Sequence, residues 1–206
     1  MHGTNSPTSA TAALESLSAT VDARDTYTAG HSRRVRLISL MIGAAMELDD
    51  AQMSVLGAAA LFHDVGKLSI PDHILLKPSR LTALEWEIMR RHSEEGARII
   101  ESAGVGGPAV PAIRHHHEHW DGTGYPAGLA GEEIPLEARI IHVADALDSM
   151  TTSRIYRPAL PVRHAVQELR DQAGRQFCPA VIEALERVLR DNGFDERDGS
   201  ELAGAA

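Results

Sequence analysis

An apolar helical run in this chain of 206 residues ends in the sequence Leu61-Phe62-His63-Asp64-Val65-Gly66-Lys67. Consecutive helical side chains point about 100° apart, so His63 and Asp64 cannot share one face, but they can converge on a metal ion where the helix ends. The two oxygens of Asp64 could also bridge to a second metal. We expect Gly66 to leave the helix in a left-handed conformation and Lys67 to offer a cation for a substrate oxyanion. Alone, the stretch is equally compatible with a buried His–Asp pair beside a surface lysine.

The composition predicts an all-α protein, because aromatic residues make up only 4% of the chain and strand-like alternation is rare. A net charge of −9 argues against binding to DNA or RNA duplexes and to acidic membranes. The single cysteine, Cys178, excludes an internal disulfide and is typical of a reducing compartment. Neither a bilayer-spanning segment nor a signal peptide is visible, so we expect a cytoplasmic protein without membrane association.

The chain is predicted to form one helical-bundle domain over residues 10–190, between a disordered tail at 1–9 and a flexible C-terminal tail at 191–206. Asp49 with Gln52 and Thr82 with Glu85 have the spacing of helix capping boxes. Ser32 and Ser93 are predicted to cap the helices that follow them. Residues 120–135 are rich in Gly, Pro and Asp, and this irregular segment is too long for a plain connector, which indicates a functional loop.

Seven histidines and aspartates lie at predicted helix ends or on otherwise apolar helices. These candidate ligands are His31, His63, Asp64, His92, His116, His117 and Asp145. Their nitrogen and oxygen atoms, without thiolates, suit Fe, Mn, Ni or Zn. They outnumber what one ion needs. If Asp64 bridges, two ions about 3.5–4 Å apart can hold a hydroxide for in-line attack on the phosphorus of a phosphodiester.

Two alternatives weigh against this interpretation. Asp145 could face solvent on an amphipathic helix, although a carboxylate among core positions is costly unless it is paired or bound to metal. The three consecutive histidines at 115–117 could be an adventitious metal binder.

The joined motifs resemble the HD-GYP family of metal-dependent phosphohydrolases, which degrade cyclic di-GMP. The resemblance is carried by His63-Asp64-Val65-Gly66-Lys67 together with the segment from His116 to Pro126, HHEHWDGTGYP, and extends from about Leu14 to Leu189. It also includes the segment from Arg24 to Ser32 and the segment from Arg154 to Pro158. It implies an all-α HD-type bundle with a long irregular loop around Gly124-Tyr125-Pro126.

The resemblance implies a role for each site residue. His31, His63, Asp64 and Asp145 match the ligands of one metal, and Asp64, His92, His116 and His117 match those of the other. Lys67 matches a lysine that contacts the scissile phosphate or the leaving oxygen. Arg154 and Arg157 match cations that hold substrate phosphates. Tyr125 matches a loop tyrosine that borders the substrate, although it could equally be a packing residue. Glu118 and Trp120 are expected to support the loop, and Asp121 and Gly122 to fix its turn.

The chain departs from the family pattern in three places. Where some members have a glutamate that holds a third metal, this chain has Tyr27, so two metals are expected unless the loop brings Asp22 or Asp25 close. Where the family often has an aspartate cap, this chain has Cys178, which we interpret as structural. Sensory domains commonly precede the family's catalytic domain, but almost nothing precedes Ala10, so regulation is expected from expression, from a separate sensory or regulatory protein, or from a homodimer.

The sequence therefore predicts a phosphodiesterase that opens cyclic di-GMP to pGpG, with GMP as a further product, using two divalent ions of Fe or Mn. A different class of function is also open, namely a cyclic-dinucleotide sensor or protein-interaction module built on the same fold. A third hypothesis is a related phosphohydrolase that acts on another cyclic dinucleotide or on a nucleotide monophosphate. The loop at Gly124-Tyr125-Pro126 argues against the monophosphate.

Overall fold

The structure, a computed structural model, describes residues 7–24, 30–104, 106–153 and 158–193. Within these ranges it contains helices and no strand, apart from an isolated bridge between Ala173 and Phe177, which confirms the predicted all-α class. The α-helices are α1 (Pro7–Arg24), α2 (His31–Ala45), α3 (Asp50–Phe62), α4 (Asp72–Leu75), α5 (Ala83–Arg90), α6 (His92–Ser102), α7 (Val110–His115), α8 (Leu136–Thr151), α9 (Val162–Asp171) and α10 (Pro179–Asp191). Short 3-10 turns cover Val65–Ser69, Gly107–Ala109 and Gly131–Glu133.

The core lies between α2, α3, α8 and α10. Helix α2 packs against the other three, and α8 also contacts α7 and α9. Apolar side chains from these helices form the buried core, among them Val35, Ile42, Ile140 and Leu185. This packing places the start of α2, the end of α3 and the middle of α8 close to one another.

Two helices begin as the sequence indicates, since complete capping boxes precede α3 at Asp49 and α5 at Thr82. The predicted caps at Ser32 and Ser93 are wrong. Helix α2 already begins at His31, and the Ser32 hydroxyl donates to Asp22 Oδ1 at 2.7 Å. Helix α6 begins at His92, and the Ser93 hydroxyl donates to the carbonyl of Arg90. In both cases the helix begins with the histidine itself.

Helix α1 begins at Pro7, inside the segment 1–9 that the sequence predicts to be a disordered tail, because proline suits the first turn of a helix. Its last residue, Arg24, donates hydrogen bonds to the carbonyl oxygens of Lys67, Leu68 and Ile70, at 3.0, 3.2 and 2.6 Å. Arg24 therefore holds the turn that carries Lys67. No described helix is long and apolar enough to cross a membrane.

Candidate metal centre

The seven candidate ligands meet at one place although they come from distant parts of the chain. His31 is the first residue of α2, His63 directly follows the last residue of α3, and His92 is the first residue of α6. His116 and His117 follow α7, and Asp145 lies within α8. The centre is thus built mainly from helix ends, as the sequence predicts, with a single carboxylate from a helix interior.

The ligand atoms fall into two groups. Atoms of His31, His63 and Asp145 lie within 4.8 Å of one another, and so do atoms of His92, His116 and His117. In the first group the His31 Nε2 atom lies 3.3 Å from Asp145 Oδ1. In the second the Nε2 atoms of His92 and His116 are 3.4 Å apart. Each group has the composition of a site that could hold a divalent metal ion.

Asp64 lies between the two groups of ligands, and each of its carboxylate oxygens faces one of them. Its Oδ2 atom lies 3.7 Å from His31 Nε2 and 3.4 Å from His63 Nε2. Its Oδ1 atom lies 3.5 Å from His92 Nε2. The Lys67 ammonium is 2.7 Å from Oδ2. A carboxylate so placed can face two cations at once, which is the arrangement that the His63–Asp64 stretch predicts.

Three histidines are oriented by their own helix ends. Nδ1 of His63, His92 and His116 donates to the carbonyl three residues earlier, in Ala60, Met89 and Ile113 respectively. In the neutral imidazole this places the proton on Nδ1 and leaves Nε2, which faces the centre, as the atom that can bind a metal. The Nε2 atom of His63 is buried and has no hydrogen-bond partner. A buried polar atom without a partner is costly, and a bound metal ion would supply the missing partner. These residues therefore fit the divalent metal that the sequence predicts.

The protonation states agree with metal binding. Burial lowers the pKa of His92, His116 and His117, so these imidazoles are neutral. Burial alone would raise the pKa of Asp64 and Asp145, but positive neighbours such as Lys67 and His31 hold both values well below the ordinary range. Neutral imidazoles and ionised carboxylates are the forms that bind metals.

The first group differs, because the pKa values of both of its histidines are raised. Burial would lower the pKa of His63, but the charge of Asp64 raises it. Burial would lower the pKa of His31, but hydrogen bonds with Asp145 and Asp148 raise it to about 10. Asp145, which lies 3.3 Å from His31 Nε2, attracts a positive charge to that position. A divalent cation bound there would compete with that proton.

Sequence reasoning missed Asp148 and Arg34. Asp148 is buried, and its Oδ2 atom accepts a hydrogen bond from His31 Nδ1 at 2.7 Å. Arg34 donates to both oxygens of Asp148, at 2.6 and 3.0 Å. Each residue lies one turn after a candidate ligand, Arg34 after His31 and Asp148 after Asp145. That spacing is the signal that could have identified them.

The left-handed conformation expected for Gly66 is wrong. Its backbone is not left-handed, because it lies inside the 3-10 turn Val65–Ser69 and is not among the described residues with positive φ. A Cβ atom on Gly66 would instead lie 1.9 Å from the carbonyl oxygen of His92 and 2.4 Å from the nitrogen of Gly96. Glycine is needed here so that α6, which carries His92, can approach the end of α3.

The irregular loop is supported as the sequence predicts. The carboxylate of Glu118 is buried and accepts hydrogen bonds from the backbone nitrogens of Ala127 and Gly128, at 2.8 and 3.0 Å. Asp121 Oδ1 accepts from both the backbone nitrogen and the hydroxyl of Thr123. These contacts hold the loop against the centre.

Tyr125 lies at the rim of the second group of ligands. Its ring stacks on the imidazole of His117, with centroids 4.9 Å apart and planes inclined by 29°. Burial, together with the charges of Asp64 and Asp145, raises the pKa of its hydroxyl, so the phenol stays protonated.

Arg154 and Arg157, like Tyr27 and Asp25, lie outside the described residues. Asp22 accepts hydrogen bonds from the backbone and the hydroxyl of Ser32 at the start of α2. Cys178 is buried and precedes α10 without a side-chain cap, as the structural interpretation expects.

Comparison with known proteins agrees with this geometry. Residues 15–181 match the HD domain family. A cyclic di-GMP phosphodiesterase of Thermotoga maritima is 37% identical over 190 residues, which cover 90% of this chain and 52% of the relative. The cyclic di-GMP phosphodiesterase response regulator RpfG of Xanthomonas campestris pv. campestris is 38% identical, and the match covers 84% of this chain and 47% of the relative. The chain therefore spans about half the length of these two curated relatives.

Solved structures share the fold. A cyclic GMP-AMP specific phosphodiesterase of V. cholerae, V-cGAP3, superposes with a TM-score of 0.68 at 21% identity, covering 88% of this chain and 49% of that one. The HD domain of the L. monocytogenes phosphodiesterase PgpH, in complex with cyclic di-AMP, gives a TM-score of 0.62 at 18% identity and covers 88% of this chain and 97% of that one.

The fold and the His–Asp centre are thus those of an HD domain. This chain belongs to the HD domain family. The resemblance predicted from the His63–Asp64 and Gly124-Tyr125-Pro126 motifs is confirmed.

Proposed function

We propose that this chain is a metal-dependent phosphodiesterase that hydrolyses cyclic di-GMP to pGpG. The observation that carries the proposal is the position of Asp64, whose two oxygens face two separate groups of candidate ligands. The names of the relatives from Thermotoga maritima and Xanthomonas campestris supply the substrate.

Seven residues would hold two divalent ions, with Asp64 shared. His31, His63 and Asp145 complete one site, and His92, His116 and His117 complete the other. Nitrogen and oxygen ligands without thiolates suit Fe or Mn, and also Ni or Zn. When bound, such an ion pair would lower the pKa of a water molecule and stabilise negative charge on a phosphate.

Other side chains of the protein would bind and orient the substrate at the metal centre. The Lys67 ammonium, held 2.7 Å from Asp64, lies where it can also meet a phosphate oxygen at the centre and stabilise the charge that develops there. Arg154 and Arg157 are proposed to hold substrate phosphates, as the sequence resemblance implies. Tyr125 would close one side of the site, because its ring covers His117.

A second substrate has specific support. A 3'3'-cGAMP-specific phosphodiesterase of Vibrio cholerae is 37% identical over 169 residues, close to the identity of the cyclic di-GMP enzymes. The two substrates differ in one purine base, and the chemistry proposed for the metal centre acts on the phosphodiester that both contain. The same preparation should therefore be assayed with both cyclic dinucleotides.

The deciding experiment is purification without oxygen, metal analysis by mass spectrometry, and chromatography of the products formed from cyclic di-GMP with added Mn²⁺ or Fe²⁺. We expect about two metal ions per chain and the appearance of pGpG. Tight binding of cyclic di-GMP without product, in protein loaded with two metals, would favour the sensor hypothesis instead. Release of product by metal-free protein would contradict the proposed chemistry.

A further inference from the structure

Helix α5 ends beside the metal centre. The guanidinium carbon of Arg90, the last residue of α5, lies 5.7 Å from the centroid of the Tyr125 ring. Since Tyr125 stacks on His117, Arg90 extends the site outward from the second group of candidate ligands. Nothing in the sequence motifs points to Arg90, which precedes His92 by two positions.

The guanidinium of Arg90 can bind an anion. Its contact with Tyr125 uses the face of the ring, whereas the donors of a guanidinium lie in its plane. Among the described residues no carboxylate forms an ion pair with Arg90. A cation of this kind at the rim of a phosphodiesterase site is suited to bidentate binding of a phosphate.

An exposed aromatic side chain lies on the same face of α5. Trp86 precedes Arg90 by four residues, and residues so spaced are neighbours on a helix surface. Trp86 is 47% exposed, in a chain with only two tryptophans. Exposed indoles are suitable platforms for nucleic-acid bases, because every base has a face that can stack on them.

The substrate class requires such a second site. A cyclic dinucleotide carries two phosphodiesters, and only one can lie at the metal centre when it is cleaved. Lys67 is held at Asp64 within the centre, so it serves the scissile phosphate. We propose that the α5 face formed by Trp86 and Arg90 is a second nucleotide subsite, in which Trp86 stacks on a purine base and Arg90 adds a cation, beyond those proposed at Arg154 and Arg157, for the phosphate that is not cleaved. This inference rests on the proposed function.

The test compares two substrates that share the chemistry but differ in size. Bis(4-nitrophenyl) phosphate has one phosphodiester and no purine, so it can use the metal centre alone. We expect Arg90→Ala to raise KM for cyclic di-GMP at least about tenfold, since hydrogen bonds to a charged group are lost, while kcat/KM for bis(4-nitrophenyl) phosphate stays within about twofold. Trp86→Ala should raise KM for cyclic di-GMP several-fold, and Trp86→Phe should restore most of the loss. Arg91→Ala is the matched control, because Arg91 is the exposed neighbour of Arg90, and we expect it to change neither substrate.

Each contrary outcome has one meaning. Equal losses on both substrates would overturn the subsite and leave Arg90 as a residue that only positions Tyr125. Unchanged KM for cyclic di-GMP in both Arg90→Ala and Trp86→Ala would also overturn it, while the proposed function stood. Wild-type protein that cleaves bis(4-nitrophenyl) phosphate but neither cyclic di-GMP nor 3'3'-cGAMP would refute the proposed function and the subsite together.

Discussion

Asp148 accepts a hydrogen bond of 2.7 Å from Nδ1 of His31, although 117 residues separate the two in the chain. This bond fixes the imidazole so that Nε2 faces Asp145 at 3.3 Å. Asp148 is itself held by Arg34, so the orientation of His31 depends on a chain of three charged or polar groups. Partners of this kind usually matter to a metal site nearly as much as the ligands.

Asp148→Asn should therefore weaken the site formed by His31, His63 and Asp145. We expect a loss of about 10–100-fold in affinity for the metal at that site, because the imidazole becomes less basic and less well oriented. Competition with a chelator, followed by metal analysis, measures it. Asp171→Asn, on the exposed end of α9, is the control. Unchanged metal affinity would show that His31 is oriented by the surrounding packing instead.

Asp64→Ala should remove both metals and all turnover, because Asp64 is the one candidate ligand that faces both groups. Metal content and product formation from cyclic di-GMP would be measured together with circular dichroism, which checks that the buried position tolerates alanine. If the variant kept one tightly bound ion in each group, Asp64 could not be a bridging ligand.

Lys67→Ala should lower kcat by about 10²–10³-fold, the usual loss when a charge-stabilising group is removed from an active site. Metal content should stay near two per chain, because Lys67 is not a candidate ligand. Lys67→Arg should recover part of the activity by keeping the charge. Loss of metal in the alanine variant would instead mean that the 2.7 Å contact with Asp64 is needed to build the centre.

Gly66→Ala should destabilise the fold, since its Cβ would lie 1.9 Å from the carbonyl oxygen of His92. We expect a loss of about 1–3 kcal/mol in the free energy of unfolding, the range for an overpacked interior. Urea unfolding measures it. Gly107→Ala is the matched control, because no atom lies within 4 Å of the added carbon there. Equal stabilities of the two variants would contradict the close approach of α6.

His142 should make the metal-free protein less stable as the pH falls. Burial, followed by the charge of His119, lowers the pKa of His142 from 6.5 to about 4, and the amide of Gln176 donates to its unprotonated Nε2 at 3.2 Å. The unfolded chain takes up this proton below pH 6.5 and the folded chain only near pH 4, so stability is full above 6.5 and declines between these values. Between pH 7 and pH 5 the expected loss is about 2 kcal/mol.

The measurement is urea unfolding in EDTA at both pH values, for the wild type and for His142→Gln. Other buried histidines contribute to both proteins, so the difference between the two slopes isolates His142. The variant should lose less stability on acidification than the wild type. Identical pH dependence would mean that His142 is not held neutral in the fold.

The sequence by itself determined the helical class, the capping boxes at Asp49 and Thr82, the irregular loop and the candidate ligands, because these depend on local spacing and on residue types with few alternatives. The tertiary structure alone decided which groups meet. It brought Asp148 to His31, turned the two oxygens of Asp64 toward different histidines, placed Arg90 over Tyr125, and required glycine at position 66 for a close approach instead of for its φ angle. Local propensity acts over a few residues, whereas these contacts join helices whose relative positions are set by packing of the whole core.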